Sequence, residues 1–210
     1  MKRLFSLLLA AFFLLPPVHA AEAPDAMIKR LSTEVLERIK SDPQLKAGNM
    51  NRISAFVDEI VMPHVNFKRM TALAVGRSWR DATPAQQEQL MGEFRTLLLR
   101  TYSGALSSVA DQTVRMKPFR ADPADREVIV RSEVLQPRGG EPVQLDYRLE
   151  KSGDGWKIFD VNVVGVWLVQ NYRTQFAEQV NSGGIDGLLR SLKEKNRAGS
   201  APAPAPAPAK

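Results

Sequence analysis

Hydrophobic residues recur at helical spacing in the first half of the chain and at every second position beyond it. From Asp25 to Lys40 apolar side chains lie three or four residues apart, which predicts an amphipathic helix that Ser41-Asp42-Pro43 ends. The same spacing predicts a second helix closed by Pro63. It predicts a third helix from Asn66 to Val75, with Gly76 as its C-terminal cap.

The segment Thr83-Pro84-Ala85-Gln86 predicts the start of a longer helix. Threonine suits the N-cap, proline suits the first helical position, and glutamine three residues after the cap completes a capping box. We expect this helix to extend to about Ser108. Its apolar stripe consists of Leu90, Phe94, Leu97, Leu98 and Tyr102.

The period then changes to two, which is the period of a β-strand. Four strands are predicted, near Val114–Met116, Val128–Leu135, Val143–Leu149 and Trp156–Val163. After Gly165 helical spacing returns, first through Val180 and then from Ile185 to Leu192. Helices, then an antiparallel meander, then helices predict an α+β fold, with helices packed on one face of a twisted sheet of about four strands.

The two ends of the chain differ from the middle. Residues 1–20 have the order of a secretory signal peptide: Lys2-Arg3, a 12-residue apolar run from Leu4 to Leu15, and a small-residue cleavage site ending at Ala20. That run is shorter than the roughly 20 residues that span a bilayer. We therefore expect export to the periplasm of a Gram-negative host, a folded domain over 21–197, and a disordered Ala-Pro tail over 198–210.

Composition excludes several kinds of chemistry. The chain has no cysteine, and outside the predicted signal peptide it has one histidine, His64. This rules out disulfides, a thiolate nucleophile and Cys- or His-rich metal sites. The 29 basic and 23 acidic residues give a net charge of +6. The basic residues are scattered and do not alternate with aromatics, so we do not expect nucleic-acid binding.

Two segments resemble catalytic motifs. Residues 76–80 begin like a nucleophile elbow around Ser78, but Arg80 replaces the second glycine and a helix precedes the turn. Asp160 lies in a predicted strand and could act as a proton-abstracting base if Tyr147 faced it. The interpretation that the sequence favours is a structural one, in which Asp160 bonds a turn or a nearby arginine.

Large apolar residues are abundant on the predicted helices, on the sheet and on the helix that follows it. A filled core would use the same residues, and periodicity does not distinguish a filled core from a hollow one. The set comprises Phe67, Met70, Leu90, Phe94, Leu97, Leu98, Tyr102, Val128, Val130, Leu145, Tyr147, Val163, Val166, Trp167 and Tyr172.

Three segments, 66–102, 143–161 and 165–188, together resemble the MlaC family of periplasmic phospholipid carriers, also called the toluene-tolerance or ABC-transporter auxiliary family. The order and spacing of the segments carry the resemblance, which extends from about Ala26 to Lys195. Two positions depart from the family pattern. Val164 stands where an acidic residue is common, and Trp167 stands where a small polar residue is common.

The resemblance implies a non-enzymatic carrier with no cofactor or metal. It would hold phospholipid tails in an apolar cavity between sheet and helices, using the fifteen apolar residues above. Arg77, Arg80 and Arg173 are candidates for the head group or for a docking face. The implied partners are phospholipid, an inner-membrane ABC transporter with an MCE-domain subunit, and an outer-membrane lipoprotein–porin complex. The carrier would be a monomer that maintains outer-membrane lipid asymmetry.

Two alternatives from other functional classes stay open on the residues alone. One is an NTF2-like cavity enzyme that uses Asp160 as its base. The other is a periplasmic chaperone for lipoproteins or apolar peptides.

Overall fold

The computed structural model of the chain describes residues 22–198, apart from Ala110 and Asp154. The predicted signal peptide and all but the first residue of the predicted tail lie outside the described residues. Within 22–198, no helix is long and apolar enough to cross a membrane.

Three helices form the N-terminal part of the domain: α1 (Pro24–Ser41), α2 (Pro43–Lys46) and α3 (Met50–Phe56), the last continuing into a π turn (Val57–Val61) and a 3₁₀ turn (Met62–His64). Asp42 ends α1 and caps α2, where its carboxylate accepts hydrogen bonds from the backbone N–H of Gln44 and Leu45. Asn49 caps α3 by accepting from the N–H of Arg52 at 3.1 Å. Asp42 and Asn49 thus fix the helix boundaries here.

The next two helices are α4 (Phe67–Val75) and α5 (Pro84–Ser107), joined by a 3₁₀ turn over Gly76–Arg80. Gly76 ends α4 with φ +74°, a conformation that a side chain would strain. The predicted capping box is confirmed. The N–H of Gln86 donates to the Thr83 hydroxyl at 3.2 Å, and the N–H of Thr83 donates to the Gln86 side chain at 2.9 Å.

One antiparallel sheet follows, with its strands in sequence order: β1 (Thr113–Met116), β2 (Glu127–Leu135), β3 (Val143–Ser152), β4 (Gly155–Val163) and β5 (Val166–Trp167). The four predicted strands are present. The fifth has only two residues, too few for an alternating pattern to reveal. The predicted α+β class is therefore confirmed.

The C-terminal helix α6 (Leu168–Arg197) is broken in the middle by a glycine pair. Gly184 has φ +63° and ψ −163°, a conformation that is essentially restricted to glycine. Gly183 is also non-helical. The two predicted C-terminal helices are the two arms of α6 on either side of this kink.

The register of the sheet separates an apolar inner face from a polar outer face. Val130 lies opposite Tyr147, and Tyr147 lies opposite Val161, so all three point to the inner face. On the outer face Arg131 lies opposite Asp146. Helices cover the inner face, because its apolar side chains would otherwise contact water.

Three groups of buried residues form the core. The helix cluster joins α4, α5 and α6; the sheet cluster packs α1 on the inner face; and the N-terminal cluster joins α1, α2 and α3. Val65 and Val161 pack against both the helix cluster and the sheet cluster. The two clusters therefore meet along the β4 side of the sheet.

Polar contacts attach α4 to one end of the sheet, where β2 and β4 begin and β3 ends. The N–H of Asn66 donates to the carbonyl of Ile158 at 2.8 Å. The guanidinium of Arg69 binds Glu150 and Glu127 and lies 3.8 Å from the ring centroid of Phe159. These contacts fix the start of α4 against β2, β3 and β4.

We expect Thr83→Ala to lower the free energy of unfolding by about 1 kcal/mol, because the N–H of Gln86 loses its acceptor. In a thermal melt this corresponds to a fall in Tm of about 2–4 °C. The control is Thr96→Ala in the middle of α5, where the hydroxyl donates to the carbonyl of Gly92 at 3.0 Å. Alanine favours a helix interior, so this change should be about 0.5 kcal/mol or less. Equal losses in both variants would contradict the capping role.

Candidate functional site

Twelve of the fifteen apolar residues predicted as a binding surface lie in or against two packed regions, and three lie outside them. Nine belong to the helix cluster or pack against it: Phe67, Met70, Leu90, Phe94, Leu97, Leu98, Tyr102, Val163 and Tyr172. Val128, Val130 and Tyr147 belong to the sheet cluster or pack against it. Leu145, Val166 and Trp167 are part of none of the three clusters.

Aromatic rings fill the centre of the helix cluster. The ring of Phe94 is fully buried, and its centroid lies 5.8 Å from that of Phe67, 5.0 Å from Tyr172 and 5.2 Å from Phe176. Phe176 is missing from the predicted set. Its signal was present in the sequence, because Phe176 lies one helical turn after Tyr172 on the same stripe.

The inner face of the sheet is progressively less covered toward one end. In the row Val128–Leu149–Ile158 all three side chains are buried. Two rows further along, Ser132 of β2 is still buried, but Leu145 and Val163 are half-buried and Val166 is 39% exposed. In the last row Val134 and Val143 are also half-buried. We call the uncovered part the open apolar end, and it consists of Val134, Val143, Leu145, Val163 and Val166.

The open apolar end adjoins the helix cluster, because Val163 packs against that cluster. Leu98 and Tyr102 of α5 pack against the same cluster as half-buried side chains. Partly exposed aliphatic side chains beside a packed aromatic interior offer contact to hydrocarbon and few hydrogen bonds. Such a surface suits an apolar ligand and not a polar substrate.

The tyrosines of this region remain neutral near pH 7. Burial raises the pKa of Tyr102 to about 12, and burial also raises the pKa of Tyr172. Burial likewise raises the pKa of Tyr147. These phenols therefore provide no proton-abstracting base near neutral pH.

Asp160 has a structural arrangement. Its side chain is 1% exposed and accepts hydrogen bonds from the N–H of Val161 at 2.9 Å and of Val169 at 3.0 Å. Arg148 donates to the second carboxylate oxygen at 3.1 Å. Asp160 thus joins β3, β4 and the start of α6, as the structural interpretation expects.

The geometry that the enzyme alternative requires is missing at Asp160. Tyr147 lies opposite Val161, whereas Asp160 lies opposite Arg148, so Tyr147 and Asp160 point to different faces of the sheet. Burial raises the pKa of Asp160, and the hydrogen bonds from Val169 and Arg148 only partly offset this.

Arg77, Arg80 and Arg173 surround one turn. In a 3₁₀ turn, side chains three residues apart lie on the same side, which places Arg77 beside Arg80. The Nε of Arg173 lies 3.6 Å from the position that a Cβ on Gly76 would occupy. All three arginines are exposed, and within residues 22–198 none of them forms an ion pair.

Two surface clefts lie away from the predicted site. One of about 570 Å³ is lined by Arg38, Ser41, Asp42, Pro43, Gln44 and Arg52. The other, of about 340 Å³, is lined by Pro123, Ala124, Arg126, Lys151 and Gly153. Neither cleft contains any of the fifteen predicted apolar residues. In the larger cleft Arg52 is already paired with Asp42 at 2.6 Å.

A sequence model of the family described as MlaC protein matches residues 29–194, more than half of the chain. The chain belongs to the MlaC family. The resemblance inferred from the three sequence segments is therefore confirmed.

Two relatives of this MlaC-family chain match over nearly its whole length. The toluene tolerance protein ttg2D of Pseudomonas putida is 28% identical over 210 residues, which cover 96% of each chain. The intermembrane phospholipid transport system binding protein MlaC of Haemophilus influenzae is 20% identical over 200 residues, covering 92% of this chain and 93% of the relative.

A solved structure shares the MlaC fold of this chain. It is the phospholipid-binding protein from Ralstonia solanacearum in complex with a phospholipid. It is 46% identical, with a TM-score of 0.81, and the match covers 84% of this chain and 98% of the other. The arrangement of helices and sheet is therefore that of a phospholipid-binding protein.

Asp160 gives a pH-dependent prediction. The pKa of the Asp160 carboxyl is higher in the folded protein than in the unfolded chain. Its contribution to stability is therefore complete below its pKa in the unfolded chain, and is lost as the pH rises through its pKa in the folded protein. We compare the unfolding free energies of the wild type and Asp160→Asn. As the pH falls from about 7 to about 4, their difference should shift in favour of the wild type.

Urea denaturation of both proteins at several pH values measures this difference. The two proteins share all other titrating groups, so the contributions of those groups cancel in the difference. A shift in favour of Asp160→Asn on acidification would mean that the folded protein lowers the pKa of Asp160.

Proposed function

We propose that this chain is a periplasmic carrier that binds a phospholipid by its acyl tails and moves it between the outer and inner membranes. The observation that carries the proposal is the open apolar end, where the inner face continues beyond its helical cover beside the helix cluster. The phospholipid held by the Ralstonia relative, at 46% identity, supports the same cargo for this chain.

Transfer free energies explain why such a carrier is needed. The two tails of a phospholipid contain about 30 methylenes at about 0.8 kcal/mol each, so an unshielded lipid faces a penalty of roughly 20 kcal/mol in water. The free energy of a tail in the carrier has to match its free energy in the bilayer, and the carrier need not bind the lipid more tightly than the bilayer does. A lining of Val, Leu and Phe side chains gives the tails an environment close to hydrocarbon, so handover at either membrane is nearly thermoneutral.

In this proposal the tails lie between the inner face and helices α5 and α6. A tail that enters over Leu145 and Val163 meets half-buried aliphatic side chains first. It can therefore begin to bind before the buried ring of Phe94 has to move. Deeper insertion replaces some contacts among the rings of Phe67, Phe94 and Tyr172 by contacts with methylenes.

Arg77, Arg80 and Arg173 are proposed to bind the head-group phosphate or a docking partner. Their lack of ion-pair partners within residues 22–198 supports this role, because an unpaired guanidinium can bind a phosphate without first giving up a carboxylate. A cluster of three also attracts anions more strongly than isolated arginines do.

The wider setting follows the family resemblance. We propose that the chain is exported and cleaved after about Ala20, and that it acts as a monomer without catalysis or cofactor. Its partners would be an inner-membrane ABC transporter with an MCE-domain subunit and an outer-membrane lipoprotein–porin complex. The name of the Haemophilus relative, an intermembrane phospholipid transport system binding protein, supports this placement.

The direct test is to purify the protein without detergent, extract it with organic solvent and analyse the extract by mass spectrometry. We expect phospholipid to be present, or to be taken up from vesicles by protein that was stripped of lipid. If the protein neither contains phospholipid nor takes it up, the carrier proposal is contradicted. Co-purification of peptides instead of lipid would favour the chaperone alternative.

The variant Leu98→Trp replaces an aliphatic side chain beside the helix cluster with a bulkier indole ring. We expect phospholipid binding to weaken about tenfold, because the indole displaces one or two methylenes worth about 0.8 kcal/mol each. The matched control is Leu99→Trp, since Leu99 is also half-buried on α5 but packs against the N-terminal cluster. Equal lipid binding by the two variants would show that α5 does not line the site.

Replacing Arg77, Arg80 and Arg173 together by glutamine should weaken phospholipid binding about threefold at low salt, and the difference should vanish near 1 M salt. The control carries the same substitution at Arg120, Arg126 and Arg190, which are exposed elsewhere on the surface. Binding and docking to partners are measured separately, by vesicle uptake and by pull-down. An unchanged affinity in both assays would remove these arginines from the site.

A further inference from the structure

The turn between β4 and β5 carries backbone strain. Val163 pairs with Val166, so Val164 and Gly165 form a two-residue hairpin loop. Val164 has φ +50° and Gly165 has φ +86°, the sign pattern of a type I′ turn. Among the residues that the structure describes, Val164 is the one non-glycine residue with positive φ. A β-branched side chain is poorly suited to this conformation, for which an Asn-Gly pair is preferred.

Contacts on both sides hold the strained turn in place. The N–H of Val164 donates to the carbonyl of Gln144 at 3.0 Å, and the N–H of Gly165 donates to the side chain of Asn162 at 2.8 Å. Asp160 joins the strand before the turn to Val169 in the helix after it. The geometry is therefore over-determined, as is usual for strained residues that persist in a fold.

The side chain of Val164 gains little from the folded protein. It is 40% exposed, and Val166 on the other side of the turn is 39% exposed. Of the four exposed large apolar side chains in the described part of the chain, these two share one turn. Valine at 164 is thus unfavourable twice, in its backbone conformation and in its exposure. A contact outside the folded chain would account for both.

The surroundings of the turn indicate which contact this is. Trp167 follows Val166, and the guanidinium carbon of Arg148 lies 3.9 Å from the centroid of a Trp167 ring. The same guanidinium is held by Asp160 at 3.1 Å, so the pair presents a fixed aromatic ring with a polar edge next to exposed aliphatic side chains, an arrangement that suits the depth at which lipid head groups meet hydrocarbon. Val166 also begins the inner-face row that continues through Val163 and Leu145.

We propose that the turn over 163–166 contacts the surface of a phospholipid bilayer while cargo enters or leaves the open apolar end. This rests on the proposed carrier function and adds the element by which the carrier touches the membrane. The side chains of Val164 and Val166 insert into the outer part of the acyl-chain region, while the Arg148–Trp167 pair lies at head-group level. A tail that passes over Val166 then stays in apolar contact from the bilayer to the sheet.

The test is the variant Val164→Asn, which creates the Asn-Gly pair that a type I′ turn prefers and removes the apolar side chain. Stripped protein is mixed with phosphatidylethanolamine–phosphatidylglycerol vesicles that contain a fluorescent phospholipid, and the loading rate is followed. We expect loading to be about three- to tenfold slower, with the same final occupancy. Relief of strain should at the same time raise Tm by about 2–4 °C.

The matched control is Ile129→Asn. Ile129 is 36% exposed on the outer face of the same sheet, so this variant loses a similar apolar area away from the turn. We expect its loading rate to be unchanged, and Val164→Ile should load at least as fast as the wild type.

A wild-type loading rate for Val164→Asn overturns the membrane-contact proposal, even if exchange with another protein is slowed, because the turn would then serve a protein partner. If Ile129→Asn is slowed equally, exposed apolar area in general sets the rate and the proposal also fails. Failure of the wild type itself to take up phospholipid contradicts the carrier function, which is a separate outcome.

Discussion

The apolar inner face of the antiparallel sheet has to be kept from water, and the helices cover only part of it. Helix α1 buries one end through the sheet cluster, and α4, α5 and α6 converge on the β4 side. Beyond Tyr147 the cover becomes incomplete, so Leu145, Val163 and Val166 keep part of their surface exposed. Hydrophobic burial therefore stabilises the domain, and the part of the inner face that the helices leave exposed is the surface that a lipid would cover.

Polar groups position the helices over this face without entering the apolar site. Arg69 attaches α4 to the strands through Glu127 and Glu150, and Asp160 attaches the start of α6 to β4. Such charge-assisted bonds are directional, whereas apolar packing is not, so they fix where each helix begins. The same carboxylate that looked like a catalytic base thus has its oxygen atoms occupied by structural partners.

Local patterns predicted the elements well because each element has its own signal. The capping box at Thr83, the glycine end of α4 and the alternation along β3 all depend on residues near one another in the chain. Two features had no local signal. Strand β5 is too short to alternate, and the positive φ of Val164 is imposed by hydrogen bonds to Gln144 and Asn162. Phe176 had a signal in its spacing from Tyr172 but was left out of the predicted site.

The sequence by itself determined the α+β order, the absence of cysteine chemistry and the supply of large apolar side chains, since these depend on composition and short-range periodicity. The tertiary structure decided how those side chains are distributed. The register separated Tyr147 from Asp160 and left one end of the inner face open, while packing placed twelve of the fifteen apolar residues in or against two clusters and three outside them. Contacts between residues far apart in the chain set these features, and periodicity carries no information about which distant residues will meet.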